Sequence, residues 1–190
     1  MSSQKKVYIV HGYKAAVQDH WFPWLAEQVQ AAGHEVKIVA LTDATQPEFS
    51  VWQQDLQRDL QQLDENTIVV AHSLGCLTSL NFLSSHLMQT KIQAGIFVAG
   101  FIDTLPALPE LNQFIQQAQL NEYVLQTKIQ TRLVFVSNND PLVPPPLVIR
   151  LGHVLKAQIE EVVQAGHFMQ DDGFREFPQL WAKLQLLLQR

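Results

Sequence analysis

Short apolar runs alternate along this chain with longer stretches of helical period. Residues 7–10, 36–39, 68–70, 96–98, 133–136 and 159–163 read as strands, rich in Val, Ile and Phe. Most are apolar at consecutive rather than alternate positions. That is what strands covered by helices on both faces require, whereas a sheet with one wet face would alternate. Between the runs, apolar residues recur every three to four positions. Trp21, Leu25, Val29 and Ala32 share one helical face, and Gly33 follows as a terminator. Val51, Trp52, Leu56, Leu60 and Leu63 form a stripe backed by a Gln-rich face. The segment 74–87 is less polar throughout, as befits a helix wedged beside a sheet, and 177–188 closes the chain with Leu180, Trp181, Leu184, Leu187 and Leu188.

The alternation predicts an α/β protein: a three-layer α/β/α sandwich of about six mainly parallel strands joined by right-handed crossovers. One domain should span residues 1–190. Only 103–129 departs from the pattern, with Pro106 and Pro109 followed by a helix-like stretch over 111–120. It reads as a small insertion near the carboxyl edge of the sheet, where ligands bind in this architecture. It can serve as a substrate wall or as a packing connection.

Composition narrows the class. With 47% hydrophobic and 16% charged residues the chain is not disordered, and a protein of this size buries about 70% of its unfolded surface, enough for one core. Lys and Arg number 13 against 18 Asp and Glu, a net charge of −5 without a basic run, which argues against nucleic acid as a partner. A single cysteine, Cys76, excludes an internal disulfide framework and a Cys-based zinc site. No pair of histidines has metal-ligand spacing beside a carboxylate, so neither metal nor cofactor is expected. No apolar run approaches the roughly 20 residues that span a bilayer, and the N-terminus lacks a secretory apolar core. The expectation is a soluble cytoplasmic protein without membrane insertion.

The sharpest chemical feature is Val69-Val70-Ala71-His72-Ser73-Leu74-Gly75, a strand running through a serine into a helix. A nucleophile elbow needs this context, with small residues two before and two after the serine; here Ala71 stands where the motif more often has glycine. The alternative use of Ser73 is as an ordinary helix N-cap. Two further residues weigh against that use. Asp140 follows the strand 133–136, and His167 follows the strand 159–163. The order Ser73, Asp140, His167 is that of an α/β-hydrolase triad, and parallel strands bring all three carboxyl ends to one edge. Ser73 would be the nucleophile, His167 the general base and acid, and Asp140 the group that orients the imidazole. The backbone N–H groups of Leu74 and Tyr13 are candidate oxyanion donors, with Gly12 allowing close approach. His11 either lines the pocket or supports the loop; Trp21 and Trp24 either shape the pocket or anchor the first helix. Asp103, Asp171 and Asp172 are weaker candidates for the acid, the latter two being better placed for capping. Cys76 reads as a buried, inert thiol, and His72 as a structural hydrogen-bonding group.

With these residues in hand, the chain resembles the α/β-hydrolase superfamily and, within it, the retinoblastoma-binding serine hydrolase/YdeN family, nearest the bacterial YdeN-like branch. The resemblance rests on Val7 to Tyr13, on His20-Trp21-Phe22-Pro23-Trp24-Leu25, on Glu65-Asn66-Thr67 before Val70 to Cys76, on Asp140 before Val143-Pro144, and on Gly166-His167-Phe168. It implies a compact six-stranded fold with no large lid domain and the triad Ser73, Asp140 and His167. It implies a serine hydrolase acting on a small-molecule ester, thioester or amide. The alternatives are a hydrolase-fold binding or scaffold protein with weak catalysis, and an acyltransferase using the same triad. The Leu-x-Cys-x-Glu motif for retinoblastoma protein is missing, because Cys76 sits in Leu74-Gly75-Cys76-Leu77-Thr78. Binding of that partner is not expected.

Overall fold

The computed structural model describes residues 4–190. Six strands, β1 (Lys6–Val10), β2 (Glu35–Val39), β3 (Thr67–His72), β4 (Ile92–Val98), β5 (Ile129–Ser137) and β6 (Gln158–Val162), form one sheet in the order β2-β1-β3-β4-β5-β6. Every neighbouring pair is parallel. The helices are α1 (Phe22–Ala31), α2 (Phe49–Asp59), α3 (Leu74–His86), α4 (Asn112–Ile115), α5 (Glu122–Lys128), α6 (Pro145–Leu155) and α7 (Pro178–Leu188).

The consecutive apolar runs are explained by two cores. Every residue of β3 and β4 is buried. Ile68 and Val70 face the layer of α1 and α7, where Phe22, Leu25, Leu180 and Leu184 pack. Val69 and Ala71 face the opposite layer, built on Trp52 and Leu56 of α2, Leu77 and Leu80 of α3, and Leu151 of α6. A side-chain period of two therefore makes each central strand apolar on both faces. The edge strands differ. β2 and β6 carry exposed charged positions at Glu35, Lys37 and Glu161, and charge along an edge discourages pairing with another chain.

β4 and β5 each begin four residues before the runs expected for them, at Ile92 and Ile129, and two helical segments depart from the sequence pattern as well. The stripe over 51–63 ends as helix at Asp59, because Leu60 leaves the helical region at φ −99° and ψ 52°. The helix expected over 111–120 is instead a 3₁₀ turn at Pro109–Leu111 running into α4, a break, and then α5. The break is held by tertiary bonds: Gln119 N–H donates to Asn81 Oδ1 (2.8 Å) and Asn121 N–H to Ser84 Oγ (3.0 Å), both acceptors on α3. Those contacts outweigh the weak helical repeat of a Gln-rich stretch. No helix among the described residues is long and apolar enough to cross a membrane.

Candidate active site

The strand order places β1 between β2 and β3, so the chain winds outward from β1 to β2 and then returns to β3. At such a switch point the loops leave in opposite directions and open a crevice at the carboxyl ends of the strands. Gly12 and Tyr13 follow β1 on one side of it, and Ser73 follows β3 on the other.

Ser73 has φ 53° and ψ −127°, a conformation that a residue with a Cβ avoids and that costs on the order of 1–3 kcal/mol. The surroundings enforce it. Ser73 N–H donates to the Val98 carbonyl (2.9 Å), and the Ser73 carbonyl accepts from Cys76 N–H (2.9 Å). Gly75 lets α3 start against the end of β1: a Cβ there would lie 2.2 Å from the His11 carbonyl oxygen and 2.8 Å from that of Val10. Ala71, the departure from the usual glycine, lies within β3 and has no positive φ. Its small side chain meets the crowding, and its backbone is ordinary strand.

Ser73 Oγ lies 2.9 Å from His167 Nε2, and His167 Nδ1 lies 2.7 Å from Asp140 Oδ2. Asp140 Oδ1 accepts from the N–H groups of Leu142 (2.8 Å) and Val143 (2.9 Å). All three residues are buried. With Nδ1–H donated to a carboxylate, Nε2 is left as an acceptor facing the serine hydroxyl, which is the tautomer a general base requires.

Around this chain of contacts the histidines divide by role. His72 Nε2–H donates to the His167 carbonyl (2.8 Å), and the two rings lie 4.9 Å apart. Burial, reinforced by the neighbouring His167, pushes the His72 pKa well below the ordinary imidazole value. His72 is therefore a neutral prop, and its Nδ1 is buried without a partner. His11 Nε2 accepts from Leu41 N–H (3.1 Å), while its Nδ1–H donates to the Gly12 carbonyl (3.0 Å). It ties the end of β2 to the loop after β1, and borders a separate hollow of about 400 Å³ formed with residues 14–19 and 40–45. Burial lowers its pKa too.

Trp21, named above as possible pocket lining, is fully buried in the core and its indole N–H donates to the Phe168 carbonyl (3.2 Å). Its ring packs edge-on against Phe22, His72 and Phe177, so it anchors the histidine loop instead of facing a pocket. Cys76 is buried, with its thiol pointed at the Val98 carbonyl, and burial raises its pKa far above the ordinary thiol value. Asp172, a weaker candidate for the acid, accepts from the N–H groups of His167 (2.9 Å) and Met169 (3.0 Å). Asp103 pairs with Arg150. No group of three or more potential metal ligands is found among the described residues.

A cleft of about 560 Å³ opens beside Tyr13. Its walls are residues 45–50, from the loop before α2 and the first turn of that helix, and residues 110–117, from the insertion. Phe49, Leu111 and Phe114 supply apolar surface, while Gln46, Glu48, Gln113 and Gln117 line it with polar groups. Phe114 stacks edge-on against Phe49 and Trp52 at 5.2 and 5.3 Å, so the insertion is packed onto α2 as well as lining the cleft. The part played by 45–50 was not legible in the sequence, because it arises from a contact between distant loops.

A comparison with known families matches residues 7–186 to the model described as serine hydrolase. The chain belongs to the serine hydrolase family. Among curated relatives of this serine hydrolase, YdeN of Bacillus subtilis (strain 168) is 36% identical over 174 residues, covering 92% of this chain and 91% of YdeN. The serine hydrolase RBBP9 of Rattus norvegicus is 24% identical over 179 residues, covering 93% of both chains. The crystal structure of the ydeN gene product from B. subtilis superposes with a TM-score of 0.94 at 34% identity, over 98% of this chain and 100% of that one. This serine hydrolase is thus an enzyme of the α/β-hydrolase type with a compact six-stranded body.

Proposed function

We propose that the protein cleaves a small ester, thioester or amide through an acyl intermediate on Ser73, in the manner of a carboxylesterase. The observation that carries this reading is the continuous contact from Ser73 Oγ through the His167 ring to Asp140, at 2.9 and 2.7 Å. His167 Nε2 takes the hydroxyl proton as Oγ attacks the acyl carbon, and gives it to the leaving group as the tetrahedral intermediate collapses. Water repeats the cycle in the second half, attacking the acyl-serine while His167 again accepts the proton. Asp140 holds Nδ1–H and stabilises the imidazolium that forms. Its other oxygen accepts from two backbone N–H groups, which fixes the orientation of the carboxylate toward the imidazole.

The developing oxyanion needs donors placed in advance. Leu74 begins α3, so its N–H has no acceptor within the helix. Neither it nor the Tyr13 N–H is engaged in a loop or cap bond among the described residues. These two groups form the oxyanion site, with Gly12 against Ser73 and Leu74 between them. The cleft beside Tyr13 receives the substrate, and the insertion 103–129 is its outer wall. An open cleft with a mixed polar lining suits short or flexible acyl groups rather than long lipid chains.

A fluorophosphonate probe tests the assignment of the nucleophile. The wild type becomes labelled on Ser73 and Ser73→Ala does not; equal labelling of both contradicts the reading.

A further inference from the structure

His167 sits in a backbone of unusual shape. Gln164, Gly166 and Phe168 have φ of 55°, 56° and 57°, so every second residue of this loop is left-handed, and two of the three carry side chains that disfavour it. A segment of this kind persists only where its surroundings over-determine it. Here the restraint is a set of side chains. β5 and β6 end level, with Ser137 opposite Val162, and backbone pairing stops there. Beyond that point four successive N–H groups are each taken by a side chain. Gln164 N–H donates to Asn138 Oδ1 (2.9 Å), Ala165 N–H to Ser137 Oγ (3.1 Å), Gly166 N–H to Asn139 Oδ1 (2.8 Å) and His167 N–H to Asp172 Oδ2 (2.9 Å).

Three of those acceptors are the residues immediately before Asp140. Ser137 Oγ–H also donates to Asn139 Oδ1 (2.8 Å), so that oxygen accepts two hydrogen bonds and the amide has one workable orientation. The same short stretch thus presents the carboxylate and grips the loop that presents the imidazole. We propose that Asn139, steadied by Ser137, is a positioning residue that latches the Asp140 loop to the His167 loop and so sets the contact between the two side chains. Asn139 touches neither the hydroxyl nor the imidazole; it acts through the Gly166 backbone, one residue from His167. The idea rests on the proposed roles of Asp140 and His167, but its consequence for their hydrogen bond does not depend on turnover.

The test compares Asn139→Leu, which keeps the bulk and removes the acceptor, with Asn139→Asp, which keeps an acceptor, and with Asn138→Leu, whose target lies farther from His167. Readouts on the full chain are kcat and KM for 4-nitrophenyl acetate, the downfield proton NMR resonance of the His167 Nδ1–H, and the thermal midpoint. Misplacing a reacting group by about 1 Å can cost on the order of 100-fold, so Asn139→Leu should lower kcat about 10- to 100-fold with KM within about twofold. The Nδ1–H resonance should broaden or vanish. Asn139→Asp should restore both, and Asn138→Leu should lose less than Asn139→Leu. Equal losses in Asn139→Leu and Asn139→Asp, or unchanged kcat and resonance in Asn139→Leu, overturn the latch. Should Asn139→Leu fail to fold, Ser137→Ala decides: a fall in kcat at constant KM supports the latch, and unchanged kcat overturns it. Should the wild type turn over no ester, thioester or amide, the proposed function fails while the NMR comparison still judges the latch.

Discussion

Replacing Gly12 with alanine probes the oxyanion site at its tightest point. A Cβ at residue 12 would lie 2.9 Å from the His72 carbonyl oxygen, 3.0 Å from Ser73 Cβ and 3.2 Å from Leu74 N. None of these atoms is the free end of a flexible side chain, so the loop after β1 must retreat or the methyl must sit over the Leu74 N–H. Either result separates the two donors that the oxyanion would share. Loss of one such donor costs on the order of 100- to 1,000-fold in kcat, or about 2.7–4 kcal/mol. Because that bond forms in the transition state and not with the ground-state carbonyl, KM should move little. The retreat itself adds about 1–3 kcal/mol of overpacking, so the thermal midpoint should fall as well. Steady-state kinetics with 4-nitrophenyl acetate, alongside thermal melts, separates the two effects. A Gly12→Ala enzyme with kcat within about threefold of wild type refutes the placement of the oxyanion at Leu74 and Tyr13.

Two further outcomes concern the fold around the site. Gly75→Ala sets a Cβ 2.2 Å from the His11 carbonyl oxygen, a backbone atom with nowhere to turn; it should destabilise by about 3 kcal/mol or more and lower the melting midpoint by roughly 6–12 °C, measured by calorimetry. His72 is held neutral in the folded protein, so below its unfolded pKa of about 6.5 the unfolded chain binds a proton that the native one refuses. Stability should therefore fall as pH drops below about 6.5, by up to about 1.4 kcal/mol per pH unit from this residue, until its depressed folded pKa is reached. Urea midpoints at pH 7, 6 and 5 measure the slope, and His72→Gln should reduce it, the remainder belonging to His11 and His20, whose pKa values burial also lowers.

The fold was legible where residue pattern and environment coincide. The central strands β3 and β4 are buried on both faces, and consecutive apolar residues such as Val69 and Val70 announce that directly. Ser73 was legible because the elbow is local: strand, small residue, serine, glycine, helix. Asp140 and His167 could be named because parallel strands deliver their carboxyl ends to one edge, which turns distant sequence positions into neighbours. What escaped was whatever depends on the approach of loops to one another. Within the insertion the sequence predicts a helix-like stretch over 111–120, yet Asn81 and Ser84 on α3 capture the backbone there and break it. Trp21 lies beside the loop after β1 in sequence, but its side chain is drawn into the core by the Phe168 carbonyl. The run Ser137-Asn138-Asn139 did carry a signal, three short polar side chains at the end of an apolar strand. Its targets, the N–H groups at 164–166, are visible only once the strands are paired.

The central claim is that an acyl group is carried on Ser73. Acid quenching during turnover of 4-nitrophenyl acetate, followed by peptide mass analysis, examines it directly. The account predicts one acetyl group, on the peptide containing Ser73 and assigned by fragmentation to that residue, and none in Ser73→Ala, which should also lose turnover. Acetyl found on another side chain, or hydrolysis by Ser73→Ala at the wild-type rate, would contradict it.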